Sequence, residues 1–366
     1  MKVLFWVPYP HEGASNRYRV DQYLPALRAK NISYSVRSFW SVPAFRILYT
    51  RGNNMKKTLY FIAGTLRRII DLATIFRYDA VFVHREAYPV GPAIFETLAH
   101  LMDKPIVFDF DDAVFLPSSS RQNIFIEKFK FTHKIKDIIA ISDRVIAGNN
   151  YLASFARAYN ANVSIIPTLI DTDKFVRAAA KERDTVVIGW IGSETTTEFL
   201  KPLEQVFRIL VARFPGLSIR IIGGDPHFDA LEKVEIIGWD LSTEVGELSK
   251  FDIGIMPMPD DPWTKGKCAF KAIVYMGMGI PCVCSAVGTN NEVIVDGVNG
   301  YLARTDDEWI DKLTALIRDR SLRERIGAAG RRTIEERYSL KAYSDRFVGI
   351  LVDAGNRGGV SAKNRV

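Results

Sequence analysis

Three carboxylates close the apolar segment IVFDFDDAVFLP, residues 106–117. Asp109 and Asp111 form a D-x-D pair, and Asp112 adds a third acid. Carboxylates at this spacing could hold a divalent metal ion that grips a diphosphate, since hard cations prefer oxygen ligands. In a strand, Asp109 and Asp111 point to one side and Asp112 to the other. A buried sheet seldom tolerates unpaired carboxylates, so we expect these acids at the end of the strand.

The strand in YDAVFVHREAYPVGP is expected to deliver three more polar residues, His84, Arg85 and Glu86, to the same edge. Ligands of parallel α/β sheets bind at the carboxyl ends of the strands, which makes this edge a candidate site. Arg85 could pair with one of the nearby acids. For Asp112, a lone structural salt bridge remains an open alternative.

The segment YPHEGASNRYRVDQYL follows the first strand. Gly13 relaxes the loop, and Ser15 or Asn16 could cap a helix that runs from Arg17 towards Arg28. A helix N-terminus offers free N–H groups and a positive dipole, which suit a phosphate or diphosphate.

Two arginines, Arg17 and Arg19, add positive charge to that helix start. Ordinary capping with surface arginines is an equally good interpretation of the segment.

In the second half, VVIGWIGSETTTEFL reads as strand, tight turn and helix. Gly189 and Gly192 bracket the turn, and Ser193 or Thr195 could cap the helix. The dinucleotide fingerprint G-x-G-x-x-G is absent, yet the turn could still cradle a phosphate.

Lysines are concentrated at a later helix start, where Lys265, Lys267 and Lys271 lie in WTKGKCAFKAIVYMG. Because lysines usually prefer the other helix end, three here indicate an anion to neutralise. Gly288 and Thr289 then precede a short helix that contains Glu292, which predicts a second phosphate nest of N–H groups.

The composition is that of a globular protein, with 366 residues, 48% hydrophobic and 25% charged. Its cysteines, Cys268, Cys282 and Cys284, show no C-x-x-C spacing and are interpreted as reduced, buried thiols of the cytosol. The N-terminus is interpreted as a buried strand rather than a signal peptide. The uncharged run Ala272–Asn291 contains three glycines and a central proline, so we expect helix, turn and strand, not a membrane span.

The net charge of +7 is unevenly distributed. Residues 1–165 carry 22 Lys and Arg against 13 Asp and Glu, or +9, and the remainder carries −2. The basic first half predicts an anionic partner, and we favour lipid or diphosphate because no nucleic-acid motif accompanies it.

Short apolar strands alternate with longer helical patterns, which predicts an α/β protein with two doubly wound parallel sheets facing each other across a cleft. The predicted strands are Lys2–Val7, Ser33–Phe39, Ala80–His84, Pro105–Phe110, Arg144–Ala147, Val163–Ile166, Thr185–Trp190, Ser218–Ile222, Glu235–Ile237, Asp252–Met256 and Pro281–Cys284. The predicted domains are residues 1–170 and 185–335, joined by a linker at 171–184. A flexible tail is expected at 355–366.

One further helix, Met55 to Phe76, has a single apolar face. That face comprises Leu59, Ile62, Leu66, Ile69, Ala73 and Phe76, and basic residues flank it at Lys56, Lys57, Arg67, Arg68 and Arg77. We expect the apolar face to pack on the core, with the basic side in solvent. The alternative is an interfacial helix that docks on anionic lipid.

The segment YMGMGIPCVCSAVGTNNEVIVDGVNGYL resembles the signature EAMAAGxPVVASxxGGxxEIVxxGxNGxL of the retaining family-4-like glycosyltransferases, or glycosyl transferases group 1, with the GT-B fold. Further agreement, in order, comes from IIPTLIDTDKF, IGWIGS, VEIIGWDLSTEVGELSKFDIGIMPM and the terminal helices. The first half matches more loosely, through RYRVDQYLP, HREAYP and DFDDAVFLP.

The resemblance implies two Rossmann-like domains, an acceptor-binding first domain, and a nucleotide-sugar-binding second domain. It also implies a C-terminal helix, 336–354, that crosses back to the first domain. The donor-binding residues would be Gly192, Ser193, Gly223, Ile237, Gly238, Lys267, Lys271, Val274, Gly288, Thr289 and Glu292. The acceptor- or phosphate-binding residues would be Gly13, Arg17, Arg19, His84, Arg85, Glu86, Asp109 and Asp112.

Such enzymes generally bind the donor without a D-x-D metal, so the resemblance implies neither metal nor other cofactor. Matching KPIVFDFDD to the family's strand places Asp111 where the family has a catalytic His. Asp111 would orient or help deprotonate the acceptor hydroxyl, or stabilise positive charge at the anomeric carbon. Lys267 and Lys271 complete the catalytic set by neutralising the leaving diphosphate.

The chain departs from the family pattern at two places. The family's two glutamates, seven residues apart, fall on Gly266 and Val274, and the usual Arg and Lys are missing from GSETTTEF. These features together predict a metal-independent glycosyltransferase of the hexosyl type, acting on a lipid-linked or polysaccharide acceptor. It would be cytoplasmic and peripherally bound to the inner face of the cell membrane. The alternatives are a catalytically silent nucleotide-sugar-binding relative and an enzyme of soluble metabolism.

Overall fold

The structure is a computed structural model that describes residues 1–50, 52–116, 133–177, 185–229, 231 and 233–363, with side chains of the last helix described as far as residue 356. The chain divides into two compact units. Unit 1 comprises Met1–Thr168 and the chain from Tyr343 onward, and unit 2 comprises Leu169–Ala342. Part of the predicted linker, residues 178–184, lies outside the described residues.

Unit 1 is built on a six-stranded parallel sheet in the order β2-β1-β3-β4-β5-β6. Its central strands are almost wholly buried, which is why they read as unbroken apolar runs. The strands are β1 (Lys2–Val7), β2 (Ser33–Ser38), β3 (Ala80–His84), β4 (Ile106–Phe110), β5 (Arg144–Ala147) and β6 (Val163–Ile165). The helices are α1 (Ala14–Arg19), α2 (Leu24–Ala29), α3 (Val42–Leu48), α4 (Asn54–Ala73), α5 (Ile94–Leu101), α6 (Lys134–Ile141) and α7 (Asn150–Arg157), with 3-10 turns at Asp21–Tyr23 and Ile75–Arg77.

Unit 2 repeats this plan with a second six-stranded parallel sheet, ordered β12-β11-β10-β7-β8-β9. The strands are β7 (Val186–Ile191), β8 (Leu217–Ile222), β9 (Val234–Ile237), β10 (Ile253–Met256), β11 (Cys282–Ser285) and β12 (Tyr301–Ala303). The helices are α8 (Glu194–Thr197), α9 (Glu204–Arg213), α10 (Glu244–Leu248), α11 (Pro262–Lys265), α12 (Phe270–Gly277), α13 (Asn290–Val293), α14 (Asp306–Arg318) and α15 (Arg320–Arg337), with a 3-10 segment at Glu198–Leu203. The last helix, α16 (Leu340–Lys363), begins in unit 2 and belongs to unit 1 from Tyr343.

The predicted fold class is confirmed, because two doubly wound parallel sheets are present and the predicted strands match the observed ones to within a residue or so. The uncharged run that could have been a membrane span is helix α12, a turn at Gly279 and strand β11, as expected. Among the described residues, no helix combines the length and apolar character needed to cross a membrane. The three cysteines are buried thiols.

Three local features differ from the predictions. The helix expected from Arg17 to Arg28 starts earlier, at Ala14, and is interrupted by the 3-10 turn at Asp21–Tyr23. Its N-cap is Gly13, without a side-chain cap, because the Gly13 N–H bonds to the Pro10 carbonyl and turns the chain earlier. Strand β12 was not predicted, and α16 continues to Lys363 where a tail was expected from residue 355.

Helix α4 packs with the opposite face towards the unit from the one that the sequence predicts. Its predicted core-facing residues are exposed, with Leu59 at 60% and Leu66 at 55%. The side that faces the unit instead carries Gly64, Arg68 and Asp71. The expectation of a core-facing apolar stripe is therefore wrong.

Buried polar contacts hold α4 in this orientation. The Arg68 guanidinium donates to the carbonyls of Ala87 (2.7 Å) and Val7 (3.0 Å) and to Asp71 (3.1 Å). A Cβ on Gly64 would lie 2.9 Å from the Phe39 carbonyl oxygen, so the helix approaches that segment closely. Burial lowers the pKa of Arg68 to about 10 although Asp71 raises it, and the side chain stays cationic at neutral pH.

Candidate functional site

In unit 1, the strand order reverses between β1 and β3, which pair side by side. A crevice for ligands is expected beyond the carboxyl ends of strands at such a reversal. The loop that leads into α1 follows β1, and His84 ends β3. Both groups that the sequence assigned to this edge therefore lie at the reversal point.

A buried ion pair lies at the base of this edge. The Arg19 guanidinium makes a bidentate contact with Asp109 and also donates to the carbonyls of Ile166 (2.8 Å) and Pro167 (2.9 Å). Arg19 is 1% exposed and Asp109 is fully buried. This burial contradicts the prediction that Arg19 or Asp109 binds a phosphate or acceptor, because neither side chain reaches the surface.

His84 connects the buried pair to the helix start. Its Nδ1 lies 2.7 Å from Asp109 Oδ2, and its Nε2 lies 3.0 Å from Ser15 Oγ. Nδ1 donates to the Asp109 carboxylate, and Nε2 shares a hydrogen bond with the Ser15 hydroxyl. The predicted capping role of Ser15 is wrong, and its hydroxyl instead orients His84.

The second carboxylate of the D-x-D pair has a different environment. Arg85 donates from Nε to Asp111 Oδ1 (2.7 Å) and from Nη2 to Asp112 Oδ2 (2.7 Å). The Asp111 side chain is 11% exposed and lies 4.0 Å from His84 Nε2. Burial alone would raise the pKa of Asp111, but Arg85, His84 and Arg19 lower it to about 2. Asp111 is therefore an ionised carboxylate at neutral pH and too weak a base for efficient proton abstraction.

Arg85 itself adopts a backbone conformation that favours glycine, with φ of 60°. Its N–H bonds to the Asp109 carbonyl (2.7 Å), and the Glu86 N–H bonds back to the His84 carbonyl (2.7 Å). A non-glycine residue in this region of φ costs roughly 1–3 kcal/mol, which the surrounding contacts must offset. The strained turn aims the guanidinium at both acids.

The remaining predicted residues of this edge are held internally. The Arg17 guanidinium donates to the carbonyls of His11 (3.2 Å) and Glu12 (2.8 Å), and so braces the loop after β1. Glu86 pairs with Lys134 at 2.9 Å. A Cβ on Gly13 would lie 2.7 Å from the Tyr9 Cβ, so the turn requires a glycine. The sequence did not predict that Ser15 would be a partner of His84, or Lys134 a partner of Glu86.

The carboxylates that suggested a metal site thus have cationic partners. Asp109 faces Arg19, and Asp111 and Asp112 share Arg85. Within the described parts of the chain, no group of three or more His, Cys, Asp or Glu side chains is arranged to hold a metal ion. The metal-independence of the protein stays a prediction.

In unit 2, the strand order reverses between β7 and β10. The turns after β7 and β8 touch through their glycines: a Cβ on Gly223 would lie 2.2 Å from the Gly192 carbonyl oxygen. Gly223 also has φ of 87°, which side chains rarely adopt. Ser193 is at the predicted N-cap position of α8, although its side chain makes no cap hydrogen bond. Only glycine allows this close approach of the two turns.

A second close approach joins the lysine-rich loop to the turn before α13. The Thr289 hydroxyl donates to the Lys267 carbonyl (2.7 Å), and a Cβ on Gly288 would lie 3.0 Å from the Lys265 Cα. Gly288 has φ of 51°. The structure therefore brings together the two segments that the sequence assigned to phosphate binding.

Lys271 lies near the end of β7. Its Nζ is 5.3 Å from the centre of the Trp190 ring, a distance typical of a cation–π contact. Lys271 also lies close enough to β11 to act on the pKa of the buried Cys284 thiol: burial raises this pKa, and the charge of Lys271 opposes the rise. The Lys267 Nζ lies 5.7 Å from the Trp263 ring. Both lysines are half-buried, and Lys271, beside Trp190 of β7, lies near the strand reversal of unit 2.

The other predicted donor residues differ in their accessibility. Ile237 ends β9, and its carbonyl accepts from the Gly223 N–H (2.8 Å), while Gly238 and Glu292 are exposed. Val274 is 3% exposed, so its side chain packs in the core of unit 2. Its assignment to the donor site rests on the resemblance alone.

Comparisons with known proteins find a matching family model and similar proteins. Residues 185–319 match the family model described as Glycosyl transferases group 1. The chain is 24% identical over 295 residues to the sulfoquinovosyl transferase SQD2 of Arabidopsis thaliana, covering 74% of this chain and 56% of that protein. It is 21% identical over 224 residues to the capsular polysaccharide biosynthesis glycosyltransferase CapM of Staphylococcus aureus, covering 56% and 58%. The chain thus spans little more than half the length of these curated relatives.

Solved structures show the same fold over almost the whole chain. A glycosyltransferase from Rickettsia africae superposes with a TM-score of 0.70 at 15% identity, covering 96% of this chain and 98% of that one. Alr3699/HepE from Anabaena, in complex with UDP-glucose, superposes with a TM-score of 0.69 at 15% identity, covering 96% and 100%. The chain therefore has the GT-B fold, and residues 185–319 of its second unit match the model of the glycosyl transferases group 1 family.

Proposed function

We propose that the protein is a glycosyltransferase that moves a sugar from a nucleotide-sugar donor to a lipid-linked or polysaccharide acceptor, with retention and without a metal ion. One observation carries the proposal: the family domain of unit 2 brings Lys267, Gly288 and Thr289 together, with Lys271 near the strand reversal of the same sheet. Such an arrangement suits a diphosphate, because lysine charge and backbone N–H groups both favour anions.

The donor diphosphate would be bound by Lys267 and Lys271. Charge compensation is needed at this point because the leaving diphosphate gains negative charge in the transition state. The turns at Gly192 and Gly223 lie at the carboxyl ends of β7 and β8, where ligands of parallel sheets bind. Val274 cannot accept a ribose hydroxyl, so we assign that contact to backbone groups or to the exposed Glu292.

Asp111 would act on the acceptor side. As an ionised carboxylate held by Arg85, it would orient the acceptor hydroxyl or stabilise positive charge at the anomeric carbon, rather than remove a proton. The proton would then pass to the leaving phosphate, the group that assists front-face attack in the retaining mechanism expected from the resemblance. The chain's part in this reaction is to position and to stabilise charge.

The nature of the acceptor is proposed from the relatives and from charge. CapM is named for capsular polysaccharide biosynthesis and SQD2 for sulfoquinovosyl transfer, and the first 165 residues of this chain carry a net charge of +9. We infer an acceptor at the cytoplasmic face of a membrane. For the donor, uridine nucleotides are the first candidates, since the HepE structure contains UDP-glucose.

A nucleotide screen tests the proposal. Thermal unfolding is measured with UDP, UDP-glucose and nucleoside diphosphates of other bases, followed by sugar release from each stabilising donor without acceptor. A ligand at 100 times its dissociation constant adds about 2.7 kcal/mol to stability. If no nucleotide or nucleotide sugar stabilises the protein, the proposal is wrong.

A catalytically silent donor-binding protein is the second candidate, favoured by Gly266 and the buried Val274 at the positions of the family's glutamates. It predicts that a nucleotide sugar binds but is neither hydrolysed nor transferred. An enzyme of soluble metabolism would instead be fully active on a soluble acceptor in the absence of membranes.

A further inference from the structure

Two neighbouring helices of unit 1 expose large apolar side chains. On α4 and the 3-10 turn after it, these are Met55, Leu59, Ile62, Leu66, Ile69, Ile70 and Phe76, and on α5 and just after it they are Ile94, Leu98, Leu101 and Met102. Phe76 is 66% exposed and Leu101 is 71% exposed. We refer to these eleven residues as the α4–α5 surface.

The α4–α5 surface has the spacing of helix faces rather than of scattered residues. Along α4 and the turn after it, exposed apolar side chains recur at steps of three and four residues from Met55 to Phe76 when the exposed Ala73 is included, and Ile70 lies beside this row. At a rise of about 1.5 Å per residue, this row is on the order of 30 Å long. Soluble monomers rarely expose contiguous apolar patches larger than a few hundred Å², and larger ones mark interaction sites.

Helices α4 and α5 pack against each other. The Lys104 ammonium group, just beyond α5, donates to the carbonyl of Tyr78 at 2.9 Å and approaches that of Phe76 at 3.5 Å. The end of the α5 row is thereby tied to the end of the α4 row.

The core of unit 1 does not need this apolar face. The other side of α4 is already fixed by Arg68, which donates to two backbone carbonyls and to Asp71. Turning the apolar face inward would carry Arg68 away from these partners, and the carbonyls of the buried residues Ala87 and Val7 would lose the hydrogen bonds that they accept from it. The exposed orientation is therefore the stable one.

The charges beside the apolar face of α4 have one sign, whereas Asp103, next to Met102 just beyond α5, is an exposed acid. Lys56, Arg67 and Arg77 lie along α4 and its end, with Lys57 in the first turn. Helix α4 is described throughout, and its one acid, Asp71, is buried against Arg68. A negatively charged partner would therefore meet attraction along the whole helix, whereas a second copy of the chain would meet its own cations.

We propose that the α4–α5 surface docks on an anionic lipid membrane, with both helices lying in the plane of the interface. A helix with one apolar face and flanking Lys and Arg buries that face at the boundary between headgroups and acyl chains. This inference extends the proposed function by naming the surface that meets the membrane, and it does not depend on catalysis.

Co-sedimentation of the full chain with vesicles tests the proposal. Vesicles of phosphatidylcholine with about a third phosphatidylglycerol should bind the protein, pure phosphatidylcholine vesicles should bind it much less, and added salt should weaken the binding. Each cation near the surface is worth about 1 kcal/mol, so Lys56→Gln and Arg77→Gln should each weaken binding about fivefold. Arg325→Gln and Arg332→Gln, on exposed positions of α15 in unit 2, are the matched controls.

The apolar part is tested with a triple variant, Leu59→Ser, Leu66→Ser and Ile69→Ser, which should reduce binding at least tenfold. The matched control carries Ile236→Ser, Val295→Ser and Val298→Ser in unit 2, where the exposed fractions are 49%, 56% and 55%, against 60%, 55% and 52% on α4. Thermal unfolding and nucleotide binding of each variant are measured separately. If the parent protein bound no nucleotide, the proposed function would be refuted, but the proposal that the α4–α5 surface docks on a membrane would not be affected.

A direct measurement of insertion is available because the three native thiols are buried. An environment-sensitive fluorophore on Leu66→Cys should brighten on anionic vesicles, and one on Val298→Cys should not. Equal binding to neutral vesicles, or unchanged binding of the apolar triple variant, would overturn the proposal. So would a concentration-dependent dimer that the triple variant abolishes, since the face would then belong to a second copy.

Discussion

Asp111→Asn gives the sharpest test of the acceptor side, because it removes one charge and almost no volume. Arg85 would keep its contact with Asp112 (2.7 Å) and lose the charge of Asp111. If Asp111 stabilises charge in the transition state, turnover should fall by about a hundred- to a thousandfold, the loss typical of removing one such group. The affinity for a nucleoside diphosphate should stay unchanged, because Lys267 and Lys271 belong to unit 2.

The same variant changes the pH dependence of stability in a defined direction. The pKa of Asp111 is lowered from 3.8 to about 2 in the folded protein. A carboxyl with a depressed pKa stabilises the fold above its unfolded value, and this contribution disappears as the pH falls from about 4 towards 2. The shift corresponds to roughly 2 kcal/mol, so the parent should lose that much more stability than Asp111→Asn over this window. Urea unfolding at pH 6, 4 and 2.5 measures the difference.

Asp109→Asn is the structural control. It leaves the buried Arg19 without its charge partner, and breaking a buried pair costs about 3–5 kcal/mol. Turnover per folded molecule should fall far less than in Asp111→Asn. The assay is sugar transfer or donor hydrolysis at saturating donor, with calorimetric titration of the nucleoside diphosphate. Near-parental turnover of Asp111→Asn together with a weakened fold would refute the assignment and make Asp111 a purely structural partner of Arg85.

Three further predictions concern unit 2 and the metal. Lys267→Ala and Lys271→Ala should each lower the affinity for a nucleoside diphosphate about ten- to a hundredfold by calorimetry, since a lost charged contact costs about 1.5–3 kcal/mol. The control is Lys250→Ala, at an exposed helix end. Parental affinity in both site variants would exclude the proposed phosphate site. Gly223→Ala should destabilise the protein by more than about 1 kcal/mol in urea and weaken nucleotide binding, because its Cβ would lie 2.2 Å from the Gly192 carbonyl oxygen at a φ of 87°. In the control Gly246→Ala, the added Cβ meets no atom within 4 Å, so stability should be unchanged. Equal stability of the two variants would contradict the close approach of the two turns. Turnover should persist in excess chelator, and a complete loss that manganese or magnesium restores would show that a metal is required.

The architecture could be predicted because its signals are local. Each central strand is a run of consecutive apolar residues, such as VLFWV in β1, and helical patterns separate these runs. Strand β12, which has three residues, was not predicted, although β6 of the same length was. Helix α1 was misplaced because Gly13, not a polar cap, sets its start.

The position of the candidate site residues at the strand ends could be predicted from the sequence, but the ion pairs among them could not. The carboxyl ends of β1, β3 and β4 identified the residues, since their positions follow from strand order. Arg19 and Asp109 are 90 residues apart, and no local spacing shows that they form a buried pair. Arg19 was assigned to phosphate binding from its charge and its position in the sequence, neither of which shows that the side chain is buried. Likewise, the D-x-D spacing could not show that Arg85, at the end of a neighbouring strand, would contact both Asp111 and Asp112.

Helix α4 shows a more general limit of periodicity. A stripe of apolar residues indicates that one helix face avoids water, but not what covers that face. In α4 the deciding residues are Gly64, Arg68 and Asp71, whose spacing of four and three residues marks a second, polar face. Arginine and aspartate on one face are usually interpreted as solvated, yet here they are buried and paired. A buried ion pair on one face therefore frees the apolar face for a partner outside the fold, and the cations beside that face indicate that the partner is anionic.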